Sequence, residues 1–499
     1  MKAAKLFYEV SSRVVYIISF AILAILTITN LRFSTYVTDV KEWVDVQTTN
    51  LFLTGISVIC LLVLFYIILR FSEKIGEKKL FIICSVLYLI AGIYMIMNIS
   101  SLLRYDALAV HNASIAMHHG DFSTMDTGHY TYRYPHQIGF LIYEYLVGFI
   151  SKDPKIIFSL NLVAILFINF FLYKIAKEIF KDQYKVNLMT IVLSFLFLPQ
   201  FFFMTFAYGL IPGLFLLTIG IYYLLRAEQT KKKKFMILSG IFLMLAVLMK
   251  KNFIIALAAC LCYLFLKYLK EKDKKIILSA IFLAVIFVAG KAVMTVGFEA
   301  YTGKKVNKGV PAVLWVAMGT DPDNHRRSGG WYDRKYVSVY KEHHYDRKKA
   351  EQAGQQMVSG YFSEYRKHPQ KAYDFFSKKI ITTWTDPLYE AVFSGPKEKA
   401  GQHVKTKPLY HIFNDHKRDT GLYVGMKAYI ILIFATTWIF LIKYYKKYEN
   451  ISLGLIFLTG GFLFHLFWET KGQYVYPYVF MQIPASAYVL TRLFEKTTA

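Results

Sequence analysis

The densest group of polar and ionisable side chains in this sequence lies in residues 104–137, directly after an apolar segment. Asp106 stands near the start of this group. Partial burial at a membrane surface could hold its carboxylate ready to accept a proton from an incoming hydroxyl group, as a general base does. An alternative is that Asp106 caps a helix beginning near Ala107, as aspartate often does. Asp121 and Asp126 lie in the same segment and are further candidates for such a base.

Five histidines in this segment raise the question of a metal site. They are His111, His118, His119, His129 and His136. Zinc requires about three or four converging ligands, and helical pairs of zinc-binding histidines lie at positions i and i+4. His111 and His118 have a different spacing, and no HExxH-like motif occurs. We therefore expect histidines at the level of the lipid headgroups, and neither a metal nor another cofactor.

Two further groups combine cations with a carboxylate or a phenol. Lys250 and Lys251 occupy a very short turn between two apolar segments, and Glu469, Lys471 and Tyr474 follow another apolar segment. A phosphate at the membrane surface would give the two adjacent lysines a role, since cations bind phosphate through strong charge-assisted hydrogen bonds. Snorkelling to headgroup phosphates explains the same lysines equally well.

Aromatic residues and glycines also occur together in residues 315–319 and 329–332, which read WVAMG and GGWY. Trp331 in the second stretch could stack on a sugar. The same residues could equally form the core of this part of the chain.

The elements that position these groups must be largely membrane-spanning. Hydrophobic residues make up 56% of the 499 residues, charged residues only 18%, and the mean hydropathy is +0.37. These values lie above the usual apolar share and below the usual charged share. They argue against a disordered chain, a coiled coil and a soluble multidomain enzyme, and they predict a polytopic membrane protein.

The net charge of +26 would suggest nucleic acid binding in a soluble protein. Here the lysines cluster in short loops between apolar segments, as the positive-inside rule requires of cytoplasmic loops. We therefore expect the lipid bilayer, and no nucleic acid, as the partner of this charge. The four cysteines all lie in apolar segments and form neither a disulfide framework nor a metal site.

Twelve apolar segments have about the 17–25 residues that a helix needs to cross a bilayer. They are residues 12–30, 51–71, 80–98, 155–174, 187–206, 210–226, 234–250, 253–270, 276–297, 421–443, 450–468 and 474–492. We interpret the first as a retained anchor, since no convincing cleavage site follows it. The basic loops can all be cytoplasmic, with both termini inside, only if Gln137–Ile150 does not cross the membrane. That short segment contains Glu144 and is typical of an interfacial helix.

The predicted fold is therefore an all-α polytopic membrane protein with five regions. They are N-terminal transmembrane helices (1–98), an external catalytic loop with interfacial helices (99–154), a transmembrane core (155–298), a mostly helical external region (299–420) and C-terminal transmembrane helices (421–499). Within the external region, the spacing of apolar residues predicts a helix over Asp346–Phe362.

In these residues the chain resembles the GT-C superfamily of membrane glycosyltransferases. It is most similar to the bacterial branch related to protein O-mannosyltransferases and the aminoarabinose transferase of lipid A. The similarity rests on Asp106 just after a span, on Tyr134-Pro135-His136-Gln137 opening an interfacial helix, on the basic loop Lys174–Lys185, and on Glu469-x-Lys471-x-x-Tyr474 near the last span. The order and topology of these weak motifs together carry the resemblance, which extends over nearly the whole chain.

The resemblance implies an inverting transfer of a sugar from a polyprenyl-phosphate carrier to an acceptor on the outer face of a bacterial cell membrane. The acceptor would be a wall polysaccharide, a teichoic acid, a lipid or a protein. Asp106 would act as the base. The resemblance further implies cations for the donor phosphate and polar or aromatic side chains for the substrates. For the phosphate these are Lys250, Lys251, Lys471 and Arg133; for the substrates they are Tyr134, His136, Gln137, Glu469, Tyr474 and Trp331.

The chain departs from such relatives in two features. Two additional spans precede the one that leads into the catalytic loop, and the loop Gln200–Gly209 contains no acidic residue where metal-dependent oligosaccharyltransferases carry a carboxylate. The second feature argues against a divalent metal. A lipid or polysaccharide transporter and a non-catalytic partner in envelope assembly remain alternatives. The crowding of polar groups at the external ends of the spans, and not at the bilayer midplane, favours the enzyme.

Overall fold

The protein is a bundle of long apolar helices with a helical region at one end. The computed structural model describes residues 2–37, 43–181, 183–324, 329–396, 406–413 and 421–496. The first half of the chain contains α1 (Lys2–Arg32), β1 (Phe33–Val37), β2 (Val44–Thr48), α2 (Leu51–Ile75), α3 (Glu77–Asn98), α4 (Tyr105–His118), α5 (Tyr130–Arg133), α6 (Ile138–Val147), α7 (Lys155–Phe180), α8 (Tyr184–Leu196), α9 (Leu198–Phe202), α10 (Leu210–Thr230) and α11 (Lys233–Met249). The second half contains α12 (Ile254–Glu271), α13 (Lys274–Thr302), α14 (Ala312–Thr320), α15 (Arg334–Glu342), α16 (Arg347–Lys367), α17 (Pro369–Trp384), α18 (Ala391–Ser394), α19 (Lys407–Phe413), α20 (Gly421–Tyr444), α21 (Ser452–Phe467), α22 (Gly472–Phe480) and α23 (Ile483–Lys496).

Eight helices in the described part of the chain are long and apolar enough to cross a membrane, in the regions of α1, α2, α3, α7, α10, α12, α13 and α20. The pair α8–α9 adds a ninth if its 48° bend is counted as one span. The segments 234–250 and 450–468 form helices of 17 and 16 residues, α11 and α21. The segment 474–492 is divided between α22, which contains Pro477, and α23. A multi-pass membrane protein is confirmed, whereas the number of twelve spans stays a prediction.

The helices α3 and α7 run antiparallel, which constrains the chain between them. Glu77 at the start of α3 accepts hydrogen bonds from Tyr173 and from Lys177 near the end of α7, and Gly92 packs against Leu162. The end of α3 and the start of α7 therefore lie at the same end of the bundle. The intervening α6 has 10 residues and is about 15 Å long, half the thickness of a hydrocarbon core. The membrane face on which this segment lies stays a prediction.

The opposite end of the bundle carries acidic partners for several of the clustered lysines. Lys177 pairs with Glu77 at 3.2 Å, and Lys185 pairs with Glu73 at 3.1 Å. Lys267 pairs with Glu228 on the neighbouring helix. The basic residues that the positive-inside rule assigns to one face thus share one end of the molecule.

The region between α13 and α20 is built from short helices. The helix predicted over Asp346–Phe362 is confirmed as α16, and the Asp346 carboxylate caps it by accepting hydrogen bonds from the backbone N–H groups of Lys348 and Lys349. The core of the region between α13 and α20 includes Leu314, Met318 and Tyr336.

A short two-stranded hairpin is an exception to the helical fold in the described residues. β1 and β2 pair antiparallel, with Phe33 opposite Thr48 and Val37 opposite Val44. Val37 and Val44 form a small buried cluster with Trp331 and Phe393. Sequence patterning missed the hairpin because its apolar partners come from segments about 290–350 positions further along the chain, and alternation over five residues is a weak signal on its own.

Candidate active site

Asp106 lies in the first turn of α4, and the N-cap residue of that helix is Arg104. The structure therefore does not support the alternative in which Asp106 is the cap. The Arg104 guanidinium donates a hydrogen bond to the carbonyl oxygen of Phe393 and lies 4.6 Å from the centre of its ring. This contact anchors the start of α4 to α18, while the Asp106 side chain stays exposed to its surroundings.

Lys250 is a buried cation on which the Asp106 charge acts. It follows the last residue of α11 and is only 7% exposed. Its ammonium nitrogen lies 4.0 Å from the centre of the Tyr208 ring and 5.5 Å from that of Tyr474. Burial lowers the pKa of Lys250 to about 7, against the opposing effect of the negative charges of Asp106 and Glu469. In the free site, Lys250 is therefore only partly protonated near neutral pH. Binding of an anion would favour its protonated form.

The Tyr208 ring packs against Lys250, and the Asp106 charge acts on its hydroxyl group. Burial raises its pKa well above the usual value, and the nearby Asp106 charge raises it further. The side-chain amide of Gln137 donates a hydrogen bond to the Tyr208 hydroxyl oxygen. Gly209 follows with φ +51°, and a Cβ atom there would lie 2.4 Å from the Met249 carbonyl oxygen. Glycine is therefore needed where this loop closes against the end of α11.

Tyr208 is a site residue that sequence reasoning missed. Tyr208 lies in the loop Gln200–Gly209, for which the sequence pattern predicted only that no divalent metal binds there. Tyr130 was missed as a site residue too. Burial raises its pKa well above the usual value, and the Asp106 charge acts in the same direction. A useful signal was the concentration of tyrosines beside Asp106 in a segment that follows a span.

The segment after α21 contributes Glu469, Lys471 and Tyr474. The backbone N–H of Glu469 donates to the Trp315 carbonyl oxygen at 3.2 Å. Glu469 and Lys471 are 4% and 9% exposed, and the Tyr474 hydroxyl donates to Glu469 at 3.5 Å. The predicted carboxylate, cation and phenol therefore lie together, and the Glu469 charge acts on Lys250.

Lys379 on α17 holds this segment in place and was not singled out from the sequence. It is 1% exposed, and its ammonium group donates hydrogen bonds to the carbonyl oxygens of Gly319, Leu466 and Trp468, the last two at 3.0 and 2.8 Å. Lys379 thus ties α14 and α17 to the segment that carries Glu469.

The motif after α5 lies against the same site. Tyr134 is buried, its ring centre lies 6.2 Å from that of Trp315, and Asp106 is among the charges that raise its pKa above the usual value. Burial lowers the pKa of His136 to about 3, and the charges of Lys251 and Lys250 act in the same direction. His136 is therefore neutral at physiological pH. Arg133 packs over the Tyr134 ring at 5.2 Å.

The structure places two predicted residues differently from the rest of this group. Lys251 is exposed at the edge of the site. Its charge acts on His136, and the charges of Lys291 and Arg347 act on Lys251. Its neighbour Lys250 points inward. Trp331 is 1% exposed and packs against β1, β2 and Phe393. Of the two roles that the sequence allows for Trp331, the structure favours a place in the core, because neither face of the ring is exposed to a sugar.

Asp121, Asp126 and His111 of the first loop have partners of their own. Asp121 accepts a hydrogen bond from the Ser123 backbone N–H at 2.8 Å, and Asp126 pairs with Lys304. Nδ1 of His111 lies 2.9 Å from Glu144 Oε2, which joins α4 to α6. Within the described residues, no group of three or more His, Cys, Asp or Glu side chains is arranged to hold a metal ion. That no metal is required stays a prediction.

Residues 142–292 match the sequence model of the dolichyl-phosphate-mannose-protein mannosyltransferase family. The match supports the GT-C superfamily and a glycosyltransferase. It spans less than a third of the chain, from α6 to α13, and includes Tyr208 and Lys250 but neither Asp106 nor Glu469. A search of curated proteins found no match. The bacterial subfamily named by the sequence resemblance stays a prediction.

Proposed function

We propose that the protein is an inverting glycosyltransferase that moves a sugar from a polyprenyl-phosphate carrier to a cell-surface acceptor, on the outer face of a bacterial cell membrane. The observation that carries the proposal is the burial of Lys250 between Tyr208 and Tyr474, within range of the Asp106 and Glu469 charges. Two opposite charges at one membrane-proximal site suit a reaction that takes up a proton at one point and releases phosphate at another. The family match over residues 142–292 supports the same reaction class.

Lys250 and Lys471 bind the donor phosphate in this proposal. A phosphodiester brings one negative charge, which favours the protonated form of the buried Lys250 ammonium. When the bond to the sugar breaks, the departing phosphate gains further negative charge. The two ammonium groups then interact more strongly with the leaving group than with the bound donor, and only such a difference lowers the barrier.

Asp106 is the base. The acceptor hydroxyl oxygen attacks the anomeric carbon from the face opposite the phosphate and forms the new glycosidic bond. The carbon–oxygen bond to the phosphate breaks, and its electron pair leaves with the polyprenyl phosphate. The hydroxyl proton passes to the Asp106 carboxylate, whose exposed position at the start of α4 suits contact with an acceptor.

Tyr208 and Tyr134 stay protonated in this reaction. Their raised pKa values keep both phenols neutral at physiological pH, so each can donate a hydrogen bond to a sugar or phosphate oxygen. Gln137 holds Tyr208 in place, since its side-chain amide donates a hydrogen bond to the Tyr208 hydroxyl oxygen, and the neutral His136 lies within range of the Lys250 charge.

The test is sugar transfer by the Asp106→Asn variant of the full-length protein in liposomes. A panel of radiolabelled polyprenyl-phosphate sugars serves as donor, and release of unglycosylated polyprenyl phosphate is measured. Loss of a general base costs about 10²–10⁴ in rate, so transfer should fall by that factor while insertion stays normal. Asp121→Asn and Asp126→Asn are matched controls that should retain most of the activity. Near-normal transfer by Asp106→Asn together with an inactive control would contradict the assignment of the base.

If the wild-type protein transfers no sugar from any donor of the panel, the whole proposal is contradicted. Lipid movement between leaflets without sugar transfer, followed with the same labelled donors, would instead favour the transporter. Lack of both activities would favour a non-catalytic partner in envelope assembly.

A further inference from the structure

A cavity of about 860 Å³ lies at the end of the bundle opposite Asp106. It is bounded by α1, by the last turns of α12 and α20, and by the start of α21. The site near Lys250 adjoins the other end of α12, and a helix of 18 residues is about 27 Å long. The cavity is therefore separate from the proposed site of sugar transfer. Its volume lies within the range of small-molecule binding sites, about 300–1,000 Å³.

One aromatic contact and two hydrogen bonds join the helices around this cavity. The Tyr16 and Tyr445 ring centres lie 5.8 Å apart, which joins α1 to the turn after α20. The Tyr263 hydroxyl donates a hydrogen bond to Asn450 at 2.9 Å, which joins α12 to the turn before α21. Deeper in the bundle, the Ser19 and Thr459 hydroxyls lie 2.9 Å apart. These contacts give the cavity walls that do not depend on a ligand.

The lining combines an excess of positive charge with apolar side chains. Five basic side chains face two acidic ones, Glu9 and Glu271. The basic residues are Arg13, Lys267, Lys270, Lys443 and Lys446. Lys267 is neutralised by Glu228, but Arg13, Lys443 and Lys446 form no ion pair with any described side chain. Leu266, Leu441 and Ile442 complete the apolar part of the wall.

Apolar side chains beside the cavity are exposed on the outside of the bundle. Ile442, which lines the cavity, is 52% exposed. The Phe7 and Phe265 rings, 53% and 42% exposed, lie 6.4 Å apart where α1 meets α12. On a helix that crosses a bilayer, such side chains face acyl chains. The cavity thus offers cations at its rim and a path for hydrocarbon beside it, which is the arrangement that an anionic amphiphile requires.

We propose that this cavity binds the phosphate headgroup of an anionic phospholipid from the leaflet at this end of the bundle. Arg13, Lys443 and Lys446 bind the phosphate, Tyr8 and Tyr16 border the glycerol, and the acyl chains lie against Ile442 and the Phe7 and Phe265 rings. Basic recesses between transmembrane helices bind lipid headgroups in this way. The site requires no turnover and is independent of the proposed transferase activity.

The experiment compares lipid binding by purified full-length protein and two triple variants, using native mass spectrometry. The cavity variant carries Arg13→Gln, Lys443→Gln and Lys446→Gln. The matched control carries Lys232→Gln, Lys233→Gln and Lys234→Gln, which removes the same charge from exposed positions at the same end that do not line the cavity. The probes are short-chain phosphatidylglycerol, short-chain phosphatidylcholine and soluble glycerol phosphate.

The wild type and the control variant should retain phosphatidylglycerol in preference to phosphatidylcholine, and the cavity variant should bind it at least about tenfold more weakly. Millimolar glycerol phosphate should not displace the lipid, because it lacks the apolar part. An equal loss in both variants, or equal binding of the two lipids, would overturn the site. Displacement by glycerol phosphate would overturn the assignment of a lipid and leave a site for a soluble phosphate.

Discussion

The Lys250 ammonium nitrogen lies 4.0 Å from the centre of the Tyr208 ring, although the two residues come from different loops. The ring face carries partial negative charge and stabilises a cation in a region from which water is largely excluded. A cavity of only about 10 Å³ borders Lys250, Tyr474 and Phe253, which is room for about one water molecule. Lys250 therefore relies on protein groups for its solvation, and a phosphate that enters must replace or extend these contacts.

The adjacent lysines should differ in function because only one points into the site. Lys250→Met should raise the KM for the polyprenyl-phosphate sugar by roughly 10- to 150-fold, as expected for loss of a desolvated charge-assisted contact of about 1.5–3 kcal/mol. Lys251→Met is the matched control and should change the donor KM far less, because Lys251 is exposed. Initial rates at varied donor concentration give both values. Equal effects of the two substitutions would contradict a direct phosphate contact of Lys250 and would indicate that both lysines attract the donor by their charge alone.

Donor binding should weaken as the pH rises. Burial lowers the pKa of Lys250 from 10.5 to about 7, so the fraction that carries a proton in the free enzyme falls above that pH. Because the phosphate binds the protonated form, the donor KM should increase by up to about tenfold per pH unit above pH 7. Arginine stays protonated throughout this range, so Lys250→Arg should have a flatter profile whatever its absolute rate. The same slope in wild type and Lys250→Arg would show that another group titrates.

Lys379 should matter for the stability of the Glu469 segment without touching substrate. Lys379→Met leaves the buried carbonyl group of Gly319 and the partly buried carbonyl groups of Leu466 and Trp468 without this donor. A buried group left unsatisfied costs about 1–3 kcal/mol. The midpoint of thermal unfolding in detergent should fall clearly. Lys378→Met changes the exposed neighbour and should leave the midpoint nearly unchanged. If both variants unfold at the wild-type temperature, Lys379 does not hold this segment.

Residues 99–154 should lie wholly on the outer face. Lys152 Nζ is 3.4 Å from His119 Nε2, so these two positions must share a membrane side. In a cysteine-free background, His119→Cys and Lys152→Cys should both react with an impermeant maleimide in intact cells. Lys233→Cys, at the opposite end of the bundle, should react only after permeabilisation. Labelling of position 152 only after permeabilisation would overturn the predicted topology.

Much of the architecture could be predicted from the sequence because membrane insertion depends on local properties. A run of apolar residues long enough to cross hydrocarbon must hydrogen-bond its own backbone, and only a helix does so within one segment. The long helices therefore occur where the apolar segments are. The polar groups around Asp106, Lys250 and Glu469 could be expected at one end, since alternating spans return every second connection to the same side.

The sequence by itself could not determine which members of each polar group are directed into the site. Lys250 and Lys251 are adjacent and identical, yet Tyr208 and Tyr474, from distant segments, bury only the first. Trp331 was an equally good candidate for a sugar platform or for a core, and the hairpin β1–β2 packs against it. Lys379 has no motif at all, and its three carbonyl partners lie on α14 and at the end of α21. Tertiary packing decided these positions, because burial and hydrogen bonding depend on residues that come together only when the chain is folded.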